Sequence, residues 1–307
     1  MITVFKKTRK ISQSFSLKKR ENFVWLYVEN PTKEDLEHLV DLYDLDPGHL
    51  NDALDPNEVP RLEREGSSLY IFTRIPKETD NGTYITTPVL LILLKQAVIV
   101  IAKGQEEFFQ RFIERPWTFL TAKPITVFIS IFAEITSMYH GTIMKLNKKV
   151  GTLSNKTDEI KNADIIQFVV YETVLNELLN AIIQTNLILK SFSTIKGLVK
   201  TIQEKDLVED IFLSTGQLIE LTKSSLHKVK NIRDAYSTIL TNNLNRVIRF
   251  FTVLTIVLTV PMIVTSLYGM NVTLPFSQSS GAFPIIVSGT LFICTLLVIL
   301  FHKKNWL

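Results

Sequence analysis

The chain has 307 residues, of which 46% are hydrophobic, and 34 Lys and Arg against 30 Asp and Glu leave a formal charge of +4. That length allows one or two folded units, and so mild a charge argues against a nucleic-acid partner. The one cysteine, Cys294, excludes a disulfide framework.

Residues 1–123 mix strand and helix signals and predict a cytoplasmic α/β domain. The opening Met1–Lys7 lacks the long apolar core of a signal peptide and reads as a strand. Phe23–Val28 reads as a buried strand. Pro31–Asp35 opens a helix, with Thr32 as N-cap and Asp35 completing a box-like pair. Leu69–Ile75 and Val89–Ile101 are rich in branched and aromatic residues and read as strands, with a turn at Asn81-Gly82 between them. Glu106–Glu114 predicts a short helix that ends before Pro116.

From residue 124 to 203 the pattern is helical. Ile125 to about Val150, and Asp164 to Leu198, repeat apolar residues every three or four positions. Gly151–Asn162 is polar enough for the turn between them, so the two form a helical hairpin. Residues 204–249 predict a stalk helix without a proline. Its upper part is acidic (Glu204, Asp206, Glu209, Asp210) and its lower part basic (Lys223, Lys228, Lys230, Arg233). Continued into the next segment, this helix would extend on the order of 90 Å at 1.5 Å per residue. So long a helix must pack along partners, which predicts an oligomer.

From Phe250 to Phe301 there is no Asp, Glu, Lys, Arg or His. Two apolar stretches in this window, residues 250–268 and 283–301, approach the ~20 residues a helix needs to cross a bilayer. They predict two transmembrane helices joined by an external loop over 269–282, with a basic tail at 302–307. Arg246 and Arg249 precede the first span, and His302, Lys303 and Lys304 follow the second. That asymmetry predicts both termini in the cytoplasm.

On the first span, Asn245, Ile248, Thr252, Thr255, Thr259, Met262 and Ser266 fall within an arc of about 100°. A hydroxyl-bearing stripe serves either helix–helix packing or a water-filled pore with one helix from each subunit. The span ends in Tyr268-Gly269-Met270-Asn271. A ring of Asn amide oxygens and Gly carbonyls can accept hydrogen bonds from the water shell of a hydrated cation. Gly269 is expected to let the backbone turn there, and a simple helix C-cap is the alternative.

An enzyme is not indicated. His38, His49, His140, His227 and His302 are scattered, and none shows metal-ligand or catalytic spacing. Asp44–Gly48 partly matches a calcium loop but lacks the later ligands.

Tyr268–Asn271, placed after the first of two C-terminal spans, resembles the signature of the CorA family of magnesium channels. Asn245–Thr252 (NRVIRFFT) is similar to that family's approach to its first span. The resemblance covers essentially the whole chain, most specifically residues 230–307. It implies a homopentamer in the cytoplasmic membrane. Each subunit would join an α/β domain in a funnel-shaped assembly to a long stalk helix that runs into the first span. It also implies a filter at Asn271, a cytoplasmic constriction at Asn245, and a pore continued by Ile248 and Thr252. A regulatory divalent-ion sensor between subunits would use Asp52, in Leu50–Asp55 (LNDALD), and Asp210 on the stalk. Mg2+ is thus implied both as cargo and as regulator. Asn51 stands where the family often has Glu, and Val272–Ala282 carries no acid where many members do. Zinc-handling relatives usually carry Ile at the Met position, so Met270 favours Mg2+. A Co2+, Ni2+ or Zn2+ transporter of the same fold and a non-conducting membrane-tethered sensor remain the alternatives.

Overall fold

The computed structural model describes residues 2–6, 9–11, 24–104, 108, 123–154, 162–272, 274–275, 281–304 and 306. It divides into two compact units, Met1–Ile232 and Arg233–Leu307.

The first unit is built on a mixed sheet. Its strands are β1 (Ile2–Lys6), β2 (Arg9–Ile11), β3 (Val24–Glu29), β4 (Arg61–Glu65), β5 (Ser68–Glu78), β6 (Tyr84–Leu93) and β7 (Ala97–Ala102), in the order β2-β1-β3-β7-β6-β5-β4. Only β3 and β7 are parallel, with Tyr27 opposite Val100. Apart from Glu29 at the end of β3, both are apolar because both faces of the sheet are covered. Val89–Ile101, expected as one strand, is two. The chain reverses at Leu94–Gln96, so Leu91 pairs with Val100. Strand β4 was not foreseen, since its Arg-Leu-Glu-Arg-Glu has little apolar signal. It is held by register alone, with Arg61 opposite Phe72.

Helices α1 (Lys33–Tyr43) and α2 (Pro47–Asp52) lie between β3 and β4 in sequence. The Thr32–Asp35 capping box expected from sequence is present in both directions. Leu36, Leu39 and Leu50 from these helices pack with Leu26, Val28, Tyr70, Phe72, Leu90, Ile92, Ile99 and Ile101 in one buried cluster. Alternate residues point to the opposite face. There α3 (Pro124–Ser154) and α4 (Asn162–Thr194) pack. Thr73 Oγ1 meets Thr185 Oγ1 at 3.1 Å, and Tyr139 donates to the Arg74 carbonyl at 2.8 Å. Burial pushes the Tyr139 phenol far above its ordinary pKa, so it serves only as a neutral donor. Of the expected turn at Gly151–Asn162, Gly151–Ser154 are still helical. Its centre, like the expected Glu106–Glu114 helix, lies largely outside the described residues.

Helix α5 (Ile202–Tyr268) follows α4 after a turn over residues 195–200. In the first unit it buries Glu204, Val208, Ile211, Thr215, Leu218, Thr222, Ser225 and Val229. These recur roughly every 3.5 residues, the repeat of a coiled-coil seam. Asn186 of α4 donates to the Phe212 carbonyl and to Thr215 Oγ1, at 3.1 and 2.7 Å. This part of the helix therefore finds cover within its own chain. The length argument for an oligomer holds only for the rest.

The second unit contains the remainder of α5 and α6 (Ala282–Lys303). Among the described residues, four helices are long and apolar enough to cross a membrane, two more than expected. Burial separates them. The most apolar windows of α3 and α4 are 61% and 33% buried, against 6% and 0% in α5 and α6. The first pair spend their apolar residues on the sheet. The second pair leave theirs on the surface.

Candidate functional site: the C-terminal helical hairpin

On α5, Val253 is buried and Val257, Val260 and Val264 are half-buried; on α6, Ile286, Thr290, Cys294, Leu297 and Phe301 are half-buried. Both sets follow the three- and four-residue spacing of one helical face, which is the seam between the helices. One polar bond crosses it, from Cys294 Sγ to the Val257 carbonyl at 3.6 Å. Pro261 lies inside α5 and has no N–H to offer that same carbonyl.

The predicted stripe lies on another face. At 100° per residue its centre is roughly 140° around α5 from the seam. Ile248 and Met262 are 53% and 63% exposed. Asn245, Thr252, Thr255 and Ser266 are exposed as well, and Thr259 is half-buried. The stripe therefore does not serve packing of α5 on α6. Thr252, Thr255 and Thr259 donate to the carbonyls of Ile248, Phe251 and Thr255, at 2.8, 2.8 and 2.7 Å. With its proton used on the helix, each hydroxyl presents oxygen lone pairs outward.

Tyr268 is the last residue of α5, and its hydroxyl donates to the Pro275 carbonyl at 3.3 Å. The Gly269 N–H reaches the Thr265 carbonyl at 3.0 Å, and the Met270 N–H reaches Leu267 at 3.2 Å. Met270 and Asn271 are exposed just beyond. The chain turns at Gly269, as expected, without entering the left-handed region. A Cβ there would stand 3.2 Å from the Thr265 carbonyl oxygen, the same carbonyl that the Gly269 N–H binds.

The two predicted sensor residues belong to the first unit and are not paired with each other. Asp52 ends α2 and accepts from Arg61 Nη2 at 2.7 Å. Arg61 also binds Glu58 and Glu63, and stacks over the Phe72 ring at 3.9 Å. Burial opposes its charge, yet Glu63, Glu58 and Asp52 outweigh it and hold its pKa above the ordinary value. Asp210 is exposed on α5 and makes no ion pair among the described residues. Asn51 is exposed beside Asp52.

No histidine shows metal-ligand spacing along the chain, but the fold brings carboxylates to His49. One ligand atom each from Asp46, His49 and Glu65 lie within 4.8 Å of one another. Spacing along the chain hides this, because Glu65 arrives from β4. Asp46, read as part of a fragmentary calcium loop, is the N-cap of α2, accepting from the His49 N–H at 3.0 Å.

A mixed sheet with helices on both faces, a long helix, and two unburied apolar helices ending beside Tyr-Gly-Met-Asn define a membrane-transport type of protein. The family model described as CorA-like Mg2+ transporter protein matches residues 20–303, and the chain belongs to that family. It is 22% identical to the cobalt/magnesium transport protein CorA of Methanocaldococcus jannaschii, over 92% of this chain and 91% of that one. It is 25% identical to the magnesium transport protein CorA of Helicobacter pylori, over the full length of both. The complete structure of the M. jannaschii CorA magnesium transporter superposes with a TM-score of 0.87 at 18% identity, covering 100% of this chain and 99% of that one.

Proposed function

We propose that this chain is one subunit of a channel that admits Mg2+ through the cytoplasmic membrane. Helices α5 and α6 cross the bilayer over residues 250–268 and 283–301, with residues 1–249 and the basic tail in the cytoplasm. Copies assemble around the α5 stripe, as a pentamer by the family resemblance. The observation that carries this reading is the outward hydroxyl stripe, turned away from the one helix that covers α5 in its own unit. A non-conducting anchor has no use for such a face. Water bound to Mg2+ is a strong donor, and Thr252, Thr255 and Thr259 present acceptors to it. Asn271 and the neighbouring carbonyls form the outer filter, where a neutral amide holds the hydrated ion without trapping it. Asn245 lines the cytoplasmic constriction. Asp52 and Asp210 of neighbouring copies sense internal Mg2+ and close the channel when bridged by it.

A second ion is favoured by a specific observation: the M. jannaschii relative is named for cobalt as well as magnesium. Co2+ is therefore carried by the same path. The test is ion flux into liposomes holding purified protein, comparing Mg2+, Co2+ and Zn2+. Mg2+ enters down its gradient, and Asn271→Ala abolishes entry. Unchanged flux in that variant overturns the filter assignment, and no flux of any divalent ion in the wild type overturns the channel.

A further inference from the structure

We propose that Asp46, His49 and Glu65, with Glu63 beside them, form a binding site for a transition-metal dication such as Zn2+ or Co2+, separate from the Mg2+ path. The site lies within one chain, between α2 and the edge strand β4. Its geometry is set by local structure. Asp46 caps α2 and His49 follows three residues later, so both side chains sit at the same helix end. Glu63 and Glu65 alternate on β4 and so share a face of the strand. The imidazole is held between protein groups, with its ring 4.5 Å from Tyr70 and 6.1 Å from Phe72, and its side chain is 17% exposed.

The His49–Glu63 distance suits two ligands of a common ion better than a direct bond, and the wider Glu65 separation closes on binding. His49 Nε2 is 3.4 Å from Glu63 Oε2 and 4.0 Å from Glu65 Oε2. Both are long for an N–H···O bond, whose usual range is about 2.7–3.2 Å. Two ligands bound tetrahedrally at about 2.0–2.1 Å stand roughly 3.3–3.4 Å apart. Among the described residues the His49 side chain makes no hydrogen bond, so a ring nitrogen is free to ligate. Three carboxylates supply the negative charge, and the exposed side at Glu65 leaves room for water to complete the shell.

The donor set selects the ion. Imidazole nitrogen suits Zn2+, Co2+ and Ni2+, whereas Mg2+ prefers an all-oxygen octahedron and keeps its waters. The site therefore fills in the presence of excess Mg2+. Glu63 also binds Arg61, which binds Asp52, so the site adjoins the carboxylates assigned to Mg2+ sensing.

The experiment uses full-length purified protein, stripped with chelator and titrated with Co2+ in a large excess of Mg2+, read by visible absorption. Zn2+ absorption-edge spectroscopy reports nitrogen ligation independently. Since both read binding, neither depends on the channel reading. The proteins compared are the wild type, His49→Leu, which keeps an apolar side chain against Tyr70 and Phe72, and Glu65→Gln at an exposed position. Asp52→Asn/Asp210→Asn serves as a control. One Co2+ per chain with an imidazole ligand is expected, lost in His49→Leu, about tenfold weaker in Glu65→Gln, and retained in the control. If His49→Leu does not fold, Glu65→Gln decides alone. Binding unchanged in Glu65→Gln, no imidazole ligand in the wild type, displacement by Mg2+, or loss in the control overturns the site.

Discussion

Cys294 Sγ points at the carbonyl of Val257, 3.6 Å away, and that is the carbonyl that Pro261 deprives of its helical donor. The proline breaks one rung of α5, and the neighbouring helix supplies a weak thiol donor to the orphan. The two residues should therefore be coupled. Cys294→Ala is expected to cost about 0.6 kcal/mol, the average for a polar bond between membrane helices. Cys294→Ser keeps the donor and most of the stability. In Pro261→Ala the restored N–H satisfies Val257, so Cys294→Ala should then cost almost nothing. Unfolding of the four proteins in detergent checks this, and equal costs in both backgrounds would refute the coupling.

The position of the hydroxyl stripe separates conduction from folding. Thr259→Val and Thr255→Val remove an oxygen at nearly constant volume on a face away from α6. Both are expected to lower Mg2+ flux several-fold while leaving the melting temperature of the hairpin unchanged. A loss of stability without loss of flux would return the stripe to a packing role.

Asp52 is paired within its chain with Arg61, which Glu58 and Glu63 share. If Asp52 is also an inter-subunit ion ligand, Arg61 competes with the ion. Arg61→Met should then close the channel at lower internal Mg2+, whereas Asp52→Asn/Asp210→Asn should need more. Liposome flux against internal Mg2+ reads both shifts. Movement of the two variants in the same direction contradicts the sensor.

Glu204 is buried, yet burial is outweighed by the backbone N–H groups of Thr201 and Lys200 and by the Thr201 side chain. Its pKa lies below the ordinary 4.5. Because the folded value is depressed, the stabilisation is complete above the unfolded value and disappears as pH falls through the folded one. Unfolding of the wild type should therefore become easier below about pH 4.5, the ordinary carboxylate value. Glu204→Gln, already lacking the charge, should show a flatter profile and lower stability near neutrality. Parallel profiles would show that the carboxylate does not contribute.

Much of the hairpin was legible in the sequence, since a charge-free stretch of helical length and a hydroxyl period are properties of local composition. Tyr268–Asn271 carried the family resemblance for the same reason, as adjacent letters on one short turn. The Thr32–Asp35 box was equally local, with both partners three residues apart. The apolar α3 and α4 show where composition misleads. Their hydropathy matches a span, and only the sheet under Tyr139 and Thr185 says otherwise.

By itself, then, the sequence determined which segments are apolar enough to leave water, that Thr32 and Asp35 cap α1, and which oxygen-bearing side chains share a face of α5. Tertiary structure alone decided that this face turns away from α6, that Asp52 meets Arg61, and that His49 meets Glu63 and Glu65. The physical reason is the range of the interaction. Periodicity and capping act over a helical turn, whereas these contacts depend on the register of β4 on β5 and on which helix covers which face.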